Sequence, residues 1–292
     1  MELFVFRVIR LLHCLFEQYQ FNQHSMKGGT GKLEVIVLLK QVPSTESFVG
    51  ISENGLSVKT GDVKWVINPY DEFAVEEALR IKEAHGGSVT ILSTGTEKVV
   101  EAIRTALAMG ADKGILINDP AAYNCDGLQT AKILAAVIKT MPFDLILAGQ
   151  RAVDGDNYVV GSAVAEFLNI PAVTMVMKET IADRRITCNR TVEGGIVVVE
   201  AALPALITTQ RGLNEPRYAS LPGIMKAKKK PLEIKTLKDI GLDAAGIGAP
   251  KTKIISLKYP PERKGGKMIA GETAADKAKA LVKALHEEAK VV

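Results

Sequence analysis

Residues 144–161 read DLILAGQRAVDGDNYVVG. The opening DLILA is a short apolar run, the pattern of a strand buried on both faces. Gly149 follows, where the backbone turns sharply and is able to approach a ligand closely. Asp154, Asp156 and Asn157 carry the short polar side chains that cap a helix N-terminus. The helix is expected over residues 161–168. A strand, a polar loop and a helix in this order predict one βα unit of a parallel sheet. The amides of the helix's first turn would face the crevice at the strand's carboxyl end, ready for a phosphate. An ordinary capped loop has the same composition, and no GxGxxG is present.

Outward from this junction the same alternation repeats. Residues 35–39 are a continuous apolar run rich in β-branched residues, typical of a buried parallel strand. Residues 72–84 carry apolar positions at Phe73, Ala74, Ala78, Leu79 and Ile81 between charges, a helical pattern. SVTILS at 88–93 is a strand. Residues 98–109 form a helix that Gly110 stops. A strand at 114–117 and a helix at 128–139 precede DLILA. The fold class is therefore α/β, a doubly wound, mostly parallel sheet of Rossmann type. Further on, EGG at 193–195 reads as a hairpin turn, and IVVVEAALPALITT leads into a buried strand.

A second junction, NPYD, stands directly before the helix EFAVEEAL. Pro69 suits a first helical turn and Asn68 the cap, the ordinary features of a capped helix. The Asn68 amide, offering both donor and acceptor, is also able to recognise a base or sugar.

Composition excludes several functions. A net charge of +4 over 292 residues is too mild for nucleic acid, and no aromatic-basic stacking surface is visible. Cys14, Cys125 and Cys188 lie far apart with no CxxC, so zinc and iron–sulfur sites lack their spacing. No catalytic pair and no metal site are expected. A reducing compartment fits the cysteines, the cytoplasm in a bacterium or the mitochondrial matrix in a eukaryote. The apolar stretch 4–16 is interrupted by Arg7, Arg10 and His13 and is too short to span a bilayer, so no transmembrane segment is expected. Residues 1–24 read as a mis-called start or a disposable leader, with a membrane-surface helix or organelle presequence as the rival. KGGTGK at 27–32 imitates a P-loop, but Leu33 stands where Ser or Thr would reach magnesium, and a strand follows instead of a helix.

Residues 211–230 read RGLNEPRYASLPGIMKAKKK. Pro216 and Pro222 fix φ, and Gly223 is free to take a positive one. Leu221 is thus an apolar side chain on a loop tip before four lysines, Lys226 and Lys228 to Lys230. This string resembles the recognition loop of the electron transfer flavoprotein beta subunit, and the likeness runs from about 35 to 230. EAIRTALAMGAD at 101–112 matches the family as well. The resemblance implies that Leu221 anchors the protein on flavoprotein dehydrogenases, with Arg217, Tyr218, Pro222, Ile224, Met225, Lys226 and Lys229 around it. Lys226 and Lys229 match positions that are methylated in some members.

It also implies an adenine-nucleotide site. Leu38, Asn68, Pro69, Tyr70, Asp71 and Thr94 would line it with Gly149, Gln150, Arg151, Ala152, Val153, Asp154, Gly155, Asp156, Asn157, Tyr158, Val159 and Val160. The phosphate would sit on the amides of residues 157–160. In the family the beta subunit binds AMP, and the alpha subunit holds the FAD that carries electrons. Two features depart from the AMP-binding pattern. Val159 and Val160 replace Gln and Thr, and valine makes no side-chain contact to phosphate. DGD at 154–156, the Val160-Gly161 pair and KQVP at 40–43 resemble bifurcating members, whose beta subunit carries a second FAD in place of AMP. NPYDEFAVEEAL resembles the AMP binders. Both cofactors stay open.

Residues 1–32 are read as an extension and 33–230 as the nucleotide-binding core. Residues 231–292 form an arm that ends in a helix at 274–289, with Ala278, Leu281, Val282 and Leu285 on one face. In the family the arm wraps the alpha subunit, which implies a heterodimer. The implied function is electron transfer from dehydrogenases such as acyl-CoA dehydrogenases, as in fatty acid oxidation, to a membrane quinone reductase or another acceptor, without enzymatic chemistry of its own. A universal-stress-type nucleotide sensor is the rival class. It shares the sheet but leaves 211–230 and the arm unexplained.

Overall fold

The computed structural model describes residues 31–59, 61, 63–261 and 265–291. The leader and the first four residues of KGGTGK lie outside them. The chain divides into two compact units, residues 1–50 with 58–254, and residues 51–57 with 255–292.

The larger unit is built on one nine-stranded sheet. Its strands are β1 (Leu33–Leu38), β2 (Gly87–Thr94), β3 (Lys113–Ile117), β4 (Leu145–Gly149), β5 (Ala172–Ala182), β6 (Arg185–Val192), β7 (Gly195–Ala202), β8 (Ala205–Thr209) and β9 (Leu232–Lys235). They lie in the order β7-β6-β5-β8-β4-β1-β2-β3-β9. All pairings are parallel except those of β6 with β5 and β7. Its helices of seven residues or more are α1 (Pro69–His85), α2 (Val99–Met109), α3 (Gly127–Ile138), α4 (Val160–Leu168) and α5 (Leu221–Ala227).

Strand periodicity explains why both faces are covered. Successive residues of β1 point to opposite sides. Val35 and Val37 join α1 and α2 in one core. Ile36 and Leu38 join α3 and α4 in the other. A strand buried on both faces must be apolar throughout, which is the pattern of 35–39 and DLILA. The doubly wound expectation is borne out.

Several details differ from expectation. β5 and β9 were not foreseen, and the sheet runs past residue 230 to β9. The apolar IVVV segment is not buried. It forms β7, the edge of the sheet, with Ile196 and Val198 exposed. The buried strand is β8, beyond Pro204. Residues 221–227, expected as a loop tip, form α5. Its N-cap Ser220 accepts from the Gly223 amide, and Pro222 stands in the first turn. Gly223 does not use a positive φ.

In the smaller unit the terminal helix α6 spans Ala274–Ala284. A Thr273–Asp276 capping box opens it, and it has no buried residue.

Candidate functional site

From β1 the chain passes to β2 and β3 on one side, then returns to place β4 on the other. The carboxyl ends of β1 and β4 therefore flank a topological switch point, where open α/β sheets form their ligand crevice. Leu38 closes β1 and is paired with Ala148, so the expected residues Leu38 and Gly149 meet at this edge. Thr94 ends the neighbouring β2, its hydroxyl donating to Ile117 O at 3.3 Å.

The two sequence junctions are locked together. Asp71 is buried at the start of α1. It accepts from the amides of Lys40 at 2.7 Å and Gly149 at 3.0 Å, and from Asn68 Nδ2 at 2.9 Å. Burial raises this carboxyl to about 7, against the pull of those three donors. Asn68 also donates from Nδ2 to Arg151 O at 2.8 Å and accepts from the Val153 amide at 3.1 Å. Asn68 stands at the N-cap of α1 without capping it. Its amide bridges the two junctions with both ends engaged by protein, where base or sugar recognition had been expected of it. Gly149 was expected to approach a ligand. Its close neighbours are Tyr70 and Asp71, which a Cβ would strike at 2.7 and 2.3 Å. Thr209, buried at the end of β8, donates to Tyr70 O at 2.9 Å.

The loop between β4 and α4 is braced by its charges. Asp154 pairs with Lys40 Nζ at 2.7 Å. Asp156 pairs with Arg151 Nη1, and Arg151 Nη2 donates to the Tyr70 hydroxyl at 2.9 Å. The Arg151 guanidinium lies 5.0 Å from the Tyr70 ring centre and 5.5 Å from that of Tyr158. Ala152 O accepts from the Asp156 amide at 2.8 Å. The carboxylates hold the loop, while neither Asp154 nor Asp156 caps the helix as expected. The N-cap of α4 is Val159, which makes no side-chain cap bond. Asn157 Oδ1 reaches only the Val159 amide, at 3.4 Å. The orphan amides at the start of α4 therefore have no side chain assigned to them. Gln150, on the same edge, is buried and its Oε1 has no hydrogen-bond partner. Residues 154–159 are exposed.

Sequence reasoning missed Lys40 and Thr209 as parts of this assembly. Lys40 stands two residues past the end of β1, at the carboxyl edge, and that position was the signal for it.

A cavity of about 480 Å³ opens beside the junctions, lined in part by Tyr70, Phe73, Arg151, Arg217 and Tyr218. Beyond it lies the segment expected to dock partners. Tyr218 is 98%, Leu221 74%, Met225 68% and Ile224 44% exposed, an apolar group open to solvent. Pro222, Lys226 and Lys229 are exposed beside it. Arg217 behaves differently from the rest. It donates to the buried Glu76 at 2.8 Å and to Glu83 at 2.5 Å, fastening the segment to α1. Burial alone would raise Glu76, but Arg217 and Arg80 outweigh it and hold the carboxyl below its ordinary range. Cys188 is buried on β6, its thiol pushed up to about 12 by burial and then by Glu179.

Among the described residues no group of His, Cys, Asp and Glu is placed to hold a metal. No described helix is long and apolar enough to cross a membrane.

Fold and site together define a doubly wound α/β protein with an open helix start at its switch point and a separate exposed apolar face. The family model for the electron transfer flavoprotein domain matches residues 55–240. The chain is 43% identical to the electron transfer flavoprotein subunit beta of Bacillus subtilis, over 89% of this chain and 100% of that one. It is 39% identical to the caffeyl-CoA reductase-Etf complex subunit CarD of Acetobacterium woodii, over 88% and 99%. It is 38% identical to the electron transfer flavoprotein subunit beta of Bos taurus, over 84% and 95%. The chain belongs to the electron transfer flavoprotein family, as a beta subunit. Such subunits are electron carriers, not enzymes, and pair with an alpha subunit. The family generally binds flavin and AMP.

Proposed function

We propose that this chain, joined to an FAD-bearing alpha subunit, shuttles electrons from flavoprotein dehydrogenases such as acyl-CoA dehydrogenases to a membrane quinone reductase or another acceptor. Its place is the cytoplasm of a bacterium, or the mitochondrial matrix in a eukaryote. The observation that carries this reading is the exposed face of Tyr218, Leu221, Ile224 and Met225. A free-standing nucleotide sensor has no use for such a face, whereas a carrier that docks in turn on several proteins needs one.

The crevice at the β1/β4 edge holds a structural AMP in this reading. The residues present fit the group. The start of α4 offers backbone amides without a side-chain cap, which suits a phosphate despite Val159 and Val160. Gln150 Oε1 is a buried acceptor in need of a donor, such as an adenine amino group or a ribose hydroxyl supplies. Flavin performs the one-electron chemistry when bound. The chain's own residues position and exclude: Lys40, Asn68, Asp71 and Arg151 hold the loop in place. A nucleotide there stabilises the native state by binding it alone.

A second reading is supported by DGD at 154–156 and by the two valines. It gives this chain a second FAD in the same crevice, as in an electron-bifurcating complex. Co-expression with the adjacent alpha subunit, denaturation of the purified complex and chromatography of the released cofactors separate the two. One FAD and one AMP per heterodimer is the expected result. Two FAD and no AMP would establish the second reading, and no adenine nucleotide beyond the alpha subunit's FAD would remove the site altogether.

A further inference from the structure

The helix α5 is only seven residues long, too short to persist on its own in water. Its outer face is exposed, so packing there does not hold it. Three contacts with α2 do. Ala227 is buried in the core that α2 shares. Gly223 sits so close to α2 that a Cβ would lie 2.4 Å from Ala108 O. The third contact is a reciprocal set of cation-to-carbonyl hydrogen bonds. Arg104, midway along α2, donates from Nη1 to Ala227 O at 2.6 Å, the last carbonyl of α5, and to Lys230 O at 2.8 Å, three residues beyond it. Lys230, just past α5, donates from Nζ to Leu107 O at 2.9 Å, in the last turn of α2, and to Ala111 O at 2.6 Å, two residues beyond that helix. Arg104 thus places its charge at the C-terminal end of α5, and Lys230 at the C-terminal end of α2, where cations are favoured by the helix dipole.

The geometry points to Arg104 and Lys230 as positioning residues for partner docking, a reciprocal brace that fixes the helix presenting Leu221 against α2. This rests on the reading of residues 211–230 as a docking surface. It divides the lysine run: Lys226, Lys228 and Lys229 face solvent, while Lys230 works inward and is not offered to a partner. A loosened brace leaves Leu221 in place chemically but unordered, so every docking event must order the helix first.

The test uses the intact heterodimer as electron acceptor for an acyl-CoA dehydrogenase reduced by its acyl-CoA substrate, with carrier concentration varied. Arg104→Met and Lys230→Met are each expected to raise the KM for the carrier about fivefold or more with kcat nearly unchanged, since docking and not chemistry is affected. Cofactor content per heterodimer stays at the wild-type value, and Arg104→Lys recovers most of the KM. The double variant is little worse than the worse single one, because either break frees the same helix. Leu221→Ala serves as the control. If Leu221→Ala raises KM but the brace variants lower only the melting temperature, the brace is structural and the inference is overturned. If Leu221→Ala leaves KM unchanged, the docking reading itself fails, and the inference with it. Should Arg104→Met not fold, Lys230→Met carries the same test.

Discussion

An added Cβ at residue 149 would meet Asp71 Oδ1 at 2.3 Å and Tyr70 Cβ at 2.7 Å. Neither obstacle is the far end of a flexible chain, and Asp71 is tied by three hydrogen bonds. Gly149→Ala is therefore expected to push β4 away from α1 and cost about 1–3 kcal/mol, the usual range for overpacking. A melting temperature equal to that of the wild-type heterodimer would refute this. A different residue-scale effect concerns Glu179 on β5. Burial, then the charge of Glu77 and a hydrogen bond with it, raise this carboxyl to about 7 from 4.5. The folded state then holds a proton that the unfolded chain has released. Its contribution is complete below 4.5 and is lost as pH rises through about 7. Asp71 titrates in the same direction, so the informative quantity is a difference. Between about pH 5 and pH 8, Glu179→Gln should lose less thermal stability than the wild type. Parallel curves would mean that no proton is shared there.

At the scale of elements, the start of α4 decides whether the crevice takes a phosphate. Val159→Asp places a capping carboxylate on the amides that a phosphate would use. An added cap stabilises a helix by about 1 kcal/mol, so the nucleotide-free protein should be no less stable. Bound nucleotide should fall sharply, because two anions compete for one set of donors. Unchanged nucleotide content would move the phosphate elsewhere. The same elements show what a sequence carries. β1, β2 and β4 were legible because burial on both faces demands unbroken apolar runs. β5 was not, since Lys178, Glu179 and Thr180 interrupt it and pairing with β8 and β6 supplies the rest. α5 was hidden behind Pro222 and Gly223, which read as loop, and Arg104, which bonds the carbonyls of Ala227 and Lys230, comes from another part of the chain. In the site, the two junctions were legible as turns between a strand and a helix, but the directions of their side chains were not. Asn68 and Asp71 had been placed around a ligand, yet they turn their polar atoms on the adjoining loop, because composition does not tell which way a side chain faces.

At the scale of the whole molecule, the two units differ in how they satisfy their apolar residues. The larger one encloses two cores, one on each face of the sheet. The smaller one leaves Ile255, Met268 and Val282 exposed at 85%, 92% and 60%, and α6 buries nothing. An amphipathic helix without a covered face is held by what it binds. We therefore expect the arm to serve the alpha subunit and not the fold of this chain. Ending the chain after Ile254 keeps all nine strands and α1 to α5. The truncated protein should retain its circular-dichroism spectrum and a cooperative melting transition, because neither core loses a residue. It should fail to co-purify with an alpha subunit that captures the full chain. A truncated chain that still forms the heterodimer at wild-type affinity would show that the larger unit alone carries the interface. A truncated chain that no longer folds would show that residues 255–292 complete the core instead of serving the partner.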